Sequence, residues 1–119
     1  MKKILIVEDV EMNRDLLVQL LEDDYELVEA ADGREGLASV KSETPDLVLL
    51  DISLPEMDGY EVCRRLKADA QTASIPVVFV TADARDDVAA AVREAGGVGV
   101  LSKPYAQADL LEMVRANLR

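Results

Sequence analysis

Five short apolar segments recur at similar intervals along the chain, and they limit its possible folds more than any other feature. Each segment is rich in β-branched residues or leucine and is bounded by polar or turn residues, so each is predicted to form a strand. Most of them are continuously apolar, which is typical of parallel strands covered on both faces. The predicted strands are residues 4–7, 25–30, 47–50, 77–80 and 98–101.

Amphipathic helical patterns follow each strand, and we expect their apolar stripes to pack into the core. The first and last stripes are Leu16, Leu17, Leu20 and Leu21, and Leu110, Leu111, Val114 and Leu118. The stripes between them are Leu37 and Val40; Tyr60, Cys63 and Leu66; and Val88, Ala91, Val92 and Ala95. This (βα)5 order predicts an α/β fold: a doubly wound five-stranded parallel sheet in a three-layer sandwich with right-handed crossovers.

Turn residues support these boundaries. Asp32-Gly33 is predicted to open the second helix, and Pro55, Asp58 and Gly59 are predicted to shape a loop and cap the third. No linker, repeat or low-complexity segment divides the chain. Its 119 residues suffice for one hydrophobic core, so we expect one domain over residues 1–119.

The composition excludes several classes of function. Because there is no histidine, Ser-His and Cys-His nucleophilic machinery and histidine-ligated metals are excluded. A single cysteine, Cys63, rules out an intramolecular disulfide and fits a reducing, cytoplasmic setting. A formal charge of −11 and only three tyrosines and one phenylalanine argue against nucleic acid binding. The apolar segments are too short to cross a bilayer, and we expect neither a signal peptide nor a membrane anchor.

The residues that follow the strands point to one site. In a doubly wound sheet, ligands bind beyond the carboxyl ends of the strands, where the strand order reverses. The first strand is followed by Glu8 and Asp9, the third by Asp51, the fourth by Thr81 and the fifth, after one serine, by Lys103. If the strand order is 2-1-3-4-5, three carboxylates, one hydroxyl and one ammonium group share a pocket.

Three adjacent carboxylates repel one another, and a hard divalent cation relieves that repulsion. Because Mg²⁺ prefers oxygen ligands, we predict that Asp9 and Asp51 bind it directly and that Glu8 binds it through water. The carboxylate of Asp51, at the middle strand, is the best candidate for a nucleophile toward phosphorus. The Lys103 ammonium and the Thr81 hydroxyl would then bind oxygens of the phosphoryl group.

Four segments at these strand ends resemble, in this order, the receiver domains of two-component response regulators, including the chemotaxis regulators. They are IVED at residues 6–9, LLDISLPEMDG at 49–59, VTA at 80–82 and LSKP at 101–104. The resemblance covers the whole chain and implies a flavodoxin-like fold with strand order 2-1-3-4-5. It also implies Mg²⁺-dependent phosphoryl transfer from the phosphohistidine of a histidine kinase or phosphotransfer protein to Asp51. Such a chain catalyses its own phosphorylation and dephosphorylation but is not a conventional turnover enzyme.

Further roles are implied by the same resemblance. The backbone carbonyl of Ser53 would complete the metal site, and the Lys103-Pro104 bond would be cis. Ser53 and Asp83 match positions that tune the lifetime of the phosphoryl group. The sequence supplies the identity of these residues but not the lifetime.

Two surfaces carry the implied protein contacts. The start of the first helix, with Met12, Asn13 and Leu16, matches the surface that docks onto the four-helix bundle of the phosphodonor. The face formed by the fourth helix, fifth strand and fifth helix matches the surface that binds a downstream target. The chain departs from the family at Val100, where an aromatic residue usually reports the switch. We interpret Tyr105 as a surface or kinase-facing residue.

Each site residue also has a simpler structural interpretation. Glu8 and Asp9 could favour a helix N-terminus through its dipole, Thr81 and Asp83 could be N-caps, and Lys103 could be solvated. Their joint placement at strand ends favours the chemical interpretation. The start at the first strand and the end after the fifth helix lead us to expect a free-standing regulator. A receiver cut from a hybrid histidine kinase and a partner-binding pseudo-receiver without phosphorylation stay open as alternatives.

Two enzyme classes sharing an α/β core fit less well. An aspartate-nucleophile phosphohydrolase usually carries its nucleophile after the first strand in an Asp-x-Asp pattern, which Glu8-Asp9-Val10 lacks. A flavodoxin-like cofactor binder needs a phosphate-cradling loop at that place, where this chain has carboxylates.

Overall fold

A computed structural model describes residues 1–82 and 87–118 of the chain. Its strands are β1 (Lys3–Val7), β2 (Glu26–Ala30), β3 (Leu47–Leu50), β4 (Val77–Thr81) and β5 (Gly99–Ser102). Its helices are α1 (Glu11–Leu21), α2 (Gly33–Glu43), α3 (Gly59–Ala68), α4 (Val88–Ala95) and α5 (Gln107–Asn117). Within the described ranges, no helix is long and apolar enough to cross a membrane.

The strands form one parallel sheet in the order β2-β1-β3-β4-β5. The predicted fold class and strand order are therefore confirmed. The chain runs outward from β1 to the edge strand β2 and then returns to the other side of β1 with β3. Because the order reverses there, the carboxyl ends of β1 and β3 are neighbours, with Val7 paired to Leu50.

Two hydrophobic clusters cover the two faces of the sheet, which explains the continuously apolar strands. In β1, the side chains of Leu5 and Val7 join the cluster under α2, α3 and α4, whereas Ile4 and Ile6 join the cluster under α1 and α5. Successive side chains of a strand point to opposite faces, so both sets must be apolar. Cys63 is fully buried in the first cluster, as its place in the predicted stripe of α3 indicated.

Two helices begin at predicted capping residues. The side chain of Asp32 accepts a hydrogen bond from the Glu35 backbone N–H at 2.7 Å. The side chain of Asp58 accepts one from the Glu61 backbone N–H at 2.9 Å. Each satisfies an N–H group that the helix itself leaves unpaired.

The structure corrects some predicted boundaries and one stripe. β4 extends to Thr81 and β5 to Ser102, because these two residues pair with each other instead of lying beyond the sheet. β5 begins at Gly99, one residue later than predicted. Leu16 was predicted to be a core residue but is 47% exposed, while Leu17 is buried, because α1 turns Leu17 and Leu21 toward the sheet.

Gly59 brings the backbone at the start of α3 against the end of β3. Its N–H donates to the Ile52 carbonyl at 2.8 Å, so the start of α3 is folded back onto the end of β3. A Cβ atom at this position would lie 2.2 Å from the Asp51 carbonyl oxygen. No rotation of a side chain can relieve a clash between two backbone-fixed atoms.

We therefore expect Gly59→Ala to lower the free energy of unfolding by about 2 to 3 kcal/mol, the usual cost of overpacking. Urea unfolding followed by circular dichroism measures this loss. Gly99→Ala is the matched control, because its Cβ would meet only the flexible Met113 side chain, with the sulfur at 3.4 Å and the methyl carbon at 3.8 Å. Equal losses in the two variants would show that the approach of Gly59 to Asp51 is not what limits this position.

Candidate functional site

Three carboxylates meet where β1 and β3 end. One oxygen from each of Glu8, Asp9 and Asp51 can be chosen so that all three lie within 4.8 Å of one another. Asp51 is held beside β1 because its backbone N–H donates to the Val7 carbonyl at 3.1 Å. The predicted pocket is thus formed by the adjacency of two parallel strands.

Lys103 reaches this cluster from the loop after β5. Its ammonium nitrogen donates to Glu8 Oε1 at 2.9 Å and lies 4.0 Å from Asp51 Oδ2. The Lys103 backbone N–H donates to the Thr81 carbonyl at 2.7 Å, which fixes the loop to the end of β4. The Lys103-Pro104 peptide bond is cis, as the family resemblance implied.

Burial and crowding shift the two inner carboxylates in opposite directions. Burial and then the neighbouring Glu8 carboxylate raise the pKa of Asp51 to about 7. Burial also acts to raise the pKa of Glu8. The adjacent Asp51 carboxyl, which keeps its proton, and the Lys103 ammonium outweigh this effect, so the pKa of Glu8 is lowered. Without a bound cation, Glu8 therefore carries the charge that pairs with Lys103, and Asp51 holds a proton below about pH 7.

The donor set fits a hard divalent cation. Every candidate ligand atom is a carboxylate oxygen, the type that Mg²⁺ prefers. Glu8 is only 2% exposed, and its Oε2 atom is buried without a hydrogen-bond partner among the described residues. An orphaned buried carboxylate oxygen beside two further carboxyl groups is a place where a cation, directly or through a water ligand, satisfies a group that is otherwise costly to bury.

The remaining predicted site residues lie around this cluster. Thr81 is 1% exposed at the end of β4, in the strand next to that of Asp51. Ser53 is exposed in the loop after Asp51. Asp83, a predicted influence on phosphoryl lifetime, lies outside the described residues.

A groove of about 580 Å³ opens beside Lys103. Its lining comes from α1, the end of β4 and the loop into α5: Asn13, Leu16, Leu20, Ala82, Lys103, Pro104, Tyr105 and Gln107. Tyr105 is half-buried there, and its pKa is raised by burial and by the charge of Glu8. The groove therefore joins an apolar surface to the cationic edge of the acidic cluster.

The family resemblance placed Leu16 at the docking surface, where the structure has it in the groove, but the apolar pattern of α1 alone did not indicate which leucines line this groove. Leu16 and Leu20 form one pair four residues apart, and Leu17 and Leu21 form another, so both pairs fit a helical stripe. Arg14 was also missed: its guanidinium donates to the Glu8 carbonyl at 2.8 Å. The available signal was its place in the first turn of a helix, where a cation opposes the helix dipole.

The structure shows what surrounds Val100, at the position where the family usually has an aromatic residue. Val100 is half-buried in β5 and lies opposite Phe79 of β4. The Phe79 ring is fully buried, 5.6 Å from the ring of Tyr60 on α3. Aromatic volume beside Val100 thus comes from β4 and α3.

Comparison with known proteins identifies the relatives of this chain. A family model described as the response regulator receiver domain matches residues 4–115. The chain is 37% identical over 118 residues to the polar-differentiation response regulator DivK of Brucella anthropi, covering 98% of this chain and 96% of DivK. It is 42% identical over 119 residues to the response regulator PleD of Caulobacter vibrioides, covering 98% of this chain. It spans only 26% of the length of PleD.

A solved structure shares the whole fold. The receiver domain of the sensor histidine kinase PA1611 from Pseudomonas aeruginosa superposes with a TM-score of 0.91 at 28% sequence identity. The match covers 98% of this chain and 97% of that one. The PA1611 receiver domain has a magnesium ion coordinated in its active-site cleft.

The raised pKa of Asp51 predicts a pH-dependent cost of folding. The folded state keeps the Asp51 proton up to about pH 7, whereas the unfolded chain loses it near 3.8, so stability falls as pH rises between these values. Asp51→Asn removes that cost. In EDTA at about pH 8 we expect a free energy of unfolding higher by on the order of 2 kcal/mol, and a smaller gain toward about pH 4.

Urea unfolding of both proteins across this pH range measures the difference. Asp23→Asn is the control, because it removes the same formal charge from an exposed residue of the α1–β2 loop. A gain that is constant with pH, or one that Asp23→Asn reproduces, would contradict a buried, protonated Asp51.

Proposed function

The chain belongs to the family of response regulator receiver domains, and we propose that Asp51 is its phosphoryl acceptor. Receiver domains act in two-component phosphorelays and interact with histidine kinases and downstream effectors. The observation that carries the assignment is the cluster of Glu8, Asp9 and Asp51 with Lys103 beside it. This arrangement joins a buried nucleophile, candidate cation ligands and a cation for the transferred group.

The proposed reaction moves one phosphoryl group. A carboxylate oxygen of Asp51 attacks phosphorus as the phosphorus–nitrogen bond of the donor's phosphohistidine breaks. The electron pair of that bond returns to the imidazole nitrogen, and Asp51 becomes an acyl phosphate. Hydrolysis of the acyl phosphate by water later returns the carboxylate and inorganic phosphate.

The carboxyl groups of Glu8, Asp9 and Asp51, with the backbone carbonyl of Ser53, would hold Mg²⁺. When bound, the ion would supply positive charge to the phosphoryl oxygens and lower the repulsion between them and the carboxylates. The orphaned Glu8 Oε2 atom and the all-oxygen donor set support this assignment. Glu8 also holds the Lys103 ammonium at the site through their 2.9 Å contact.

Lys103 and Thr81 would bind the transferred group. The Lys103 ammonium lies 4.0 Å from Asp51 Oδ2, close enough to contact a phosphoryl oxygen carried by that side chain. Thr81 is brought to the same edge by β4, and its carbonyl fixes the Lys103 backbone. The small side chain of Ala82 next to Thr81 leaves space for the phosphoryl group.

A helical phosphodonor would dock in the groove beside Lys103. Leu16 is 47% exposed and Met12 is 80% exposed, which leaves apolar surface on α1 next to the acidic cluster. Apolar side chains of a donor helix would cover these residues while its phosphohistidine approaches Asp51. We assign the donor to the histidine kinases or histidine phosphotransfer proteins, and the setting to the cytoplasm.

The output would pass to the face formed by α4, β5 and α5, within a single receiver domain over residues 1–119. A phosphoryl group adds about −1.5 to −2 charges, which a neighbouring loop must accommodate. Val100 on β5 cannot report this change as an aromatic ring would. The buried Phe79, paired with Val100, shares a hydrophobic cluster with Val88 and Val92 of α4.

Incubation with acetyl phosphate and Mg²⁺ should add the mass of one phosphoryl group, measured by intact-protein mass spectrometry. Asp51→Asn and addition of EDTA should each abolish the gain, because one removes the nucleophile and the other the cation. Asp58→Asn is a matched control, since Asp58 caps α3 and has no part in the transfer.

Trapping with beryllofluoride extends this test to a phosphoryl group of short lifetime. A stable complex in the unmodified protein, absent in Asp51→Asn, would place the acceptor at Asp51. Failure of both acetyl phosphate and beryllofluoride would overturn the assignment and favour a partner-binding pseudo-receiver.

The docking groove predicts a separation between protein and small-molecule donors. A Met12→Ser, Leu16→Ser double variant should lose about tenfold or more in the rate of transfer from a phosphorylated histidine phosphotransfer protein, because truncation removes apolar contact area. Its phosphorylation by phosphoramidate should change far less, since this donor needs no docking surface.

Val98→Ser is the control for lost apolar surface, because Val98 is 52% exposed at the amino end of β5. Equal rates of protein-driven transfer in the double variant and in Val98→Ser would rule out α1 as the docking helix.

A further inference from the structure

Arg14 connects three elements behind the acidic cluster. It lies in the first turn of α1, and its Nη1 atom donates to the backbone carbonyl of Glu8 at 2.8 Å. Its Nε atom donates to Glu29 Oε1 on the edge strand β2 at 3.1 Å. The Arg14 side chain is only 17% exposed but Glu29 is 45% exposed, so water competes less with the bond to the Glu8 carbonyl than with the bond to Glu29.

The segment that Arg14 contacts has little other local support. The N-cap residue of α1, Val10, makes no side-chain capping bond, and both Asp9 and Val10 are exposed. The Glu8 backbone N–H is held by the Ala30 carbonyl at 3.0 Å. The Glu8 carbonyl, at the other side of the residue, is held by Arg14.

That carbonyl belongs to the peptide unit that joins Glu8 to Asp9. Because a peptide unit is planar, fixing its oxygen fixes the direction in which the Asp9 backbone begins. The Arg14 bond therefore restricts the orientation of Asp9, whose carboxylate must reach the other two carboxylates. Glu29 in turn restricts the guanidinium, since the two bonds use different nitrogen atoms of one planar group.

The charge of Arg14 has opposing effects at this position. A cation in the first turn of a helix is unfavourable, because the helix dipole is positive there. A cation behind the acidic cluster also repels a divalent ion in that cluster. The helix dipole and a divalent ion would both act against the charge of Arg14, whereas its ion pair with Glu29 at 3.1 Å and its bond to the Glu8 carbonyl act for it.

We propose that Arg14 is a positioning residue, which holds the Glu8-Asp9 peptide unit in the orientation that lets the acidic cluster bind a divalent cation. This inference rests on the proposed function, because it takes Glu8 and Asp9 as part of a cation site. It adds a residue that touches neither the cation nor the phosphoryl group and acts through the backbone.

The two possible roles of Arg14 predict opposite signs. If Arg14 acted on the site through its charge, Arg14→Met would remove a repulsive cation and tighten Mg²⁺ binding. If it positions the ligands, the same substitution frees the Glu8-Asp9 peptide unit and weakens binding by about tenfold, the lower end for residues that orient metal ligands. Methionine keeps much of the apolar stem, so the difference reports the guanidinium.

Calorimetric titration of the purified protein with MgCl₂ measures the dissociation constant. Arg34→Met is the matched control, because Arg34 is an exposed arginine in the first turn of α2 and calibrates the effect of losing one positive charge. We expect unchanged or slightly tighter binding in Arg34→Met. Urea unfolding in EDTA checks that both variants fold.

A second readout needs no metal. In nitrogen-15 NMR spectra recorded in EDTA, Arg14→Met should shift or broaden the backbone amide signal of Asp9 and leave those of the central strand β3 in place. If Arg14→Met does not fold, Arg14→Lys decides, because lysine keeps the charge but cannot bond both partners with a planar fork. Weaker Mg²⁺ binding by Arg14→Lys than by the unmodified protein then supports the proposal.

Arg14→Met that binds Mg²⁺ as tightly as the unmodified protein, or more tightly, overturns the inference, and so does wild-type affinity in Arg14→Lys where that variant decides. These results leave the assignment of Asp51 intact. Titration of the unmodified protein tests the cation site of the proposed function separately, since that measurement does not involve Arg14. If the unmodified protein binds no Mg²⁺, the NMR comparison in EDTA decides whether Arg14 orders the Glu8-Asp9 peptide unit.

Discussion

The reversal of strand order between β1 and β3 forces carboxylates together, and the rest of the site compensates for that crowding. Glu8 and Asp51 are both largely buried, so neither charge is relieved by water. This crowding is offset by the Lys103 ammonium and by a proton on Asp51. Lys103 pairs with Glu8, Asp51 keeps a proton up to about pH 7, and Glu8 Oε2 has no hydrogen-bond partner among the described residues. The same repulsion between carboxylates therefore affects both the stability of the fold and the proposed cation site.

The compensating groups come from distant parts of the chain. Glu8 and Lys103 are 95 residues apart in sequence, and the parallel pairing of β1 with β3, β3 with β4 and β4 with β5 brings them to one edge. The short bonds behind the site hold these ends in register. The Thr81 carbonyl fixes Lys103, the Val7 carbonyl fixes Asp51, and Arg14 fixes the Glu8 carbonyl. Backbone bonds at the strand ends therefore hold these side chains more firmly than exposed loops would.

The strands and most of the candidate site residues could be predicted, because the patterns that indicate them are local in sequence. Continuous apolar runs mark strands such as β3, and an acidic or basic residue after such a run marks a strand end. The pattern could not separate Leu16 from Leu17, because which side of α1 faces the sheet depends on the packing angle of the helix. It could not predict the bond from Arg14 to the Glu8 carbonyl either, because every residue has a backbone carbonyl and the sequence does not indicate which one accepts the bond. β5 was placed one residue early because Val98 is apolar yet exposed.

The raised pKa of Asp51 also connects the fold to the chemistry. A carboxylate of higher basicity is a better nucleophile, but burial keeps a larger fraction of it protonated when no cation is near. The Lys103 ammonium is too far from Asp51, at 4.0 Å, to form a hydrogen bond with it, and it is already engaged by Glu8. With Lys103 alone nearby, the pKa of Asp51 is therefore about 7, and a bound divalent cation would favour the ionised carboxylate. As the proposed phosphoryl acceptor, Asp51 would therefore ionise more readily once a cation is bound at the cluster.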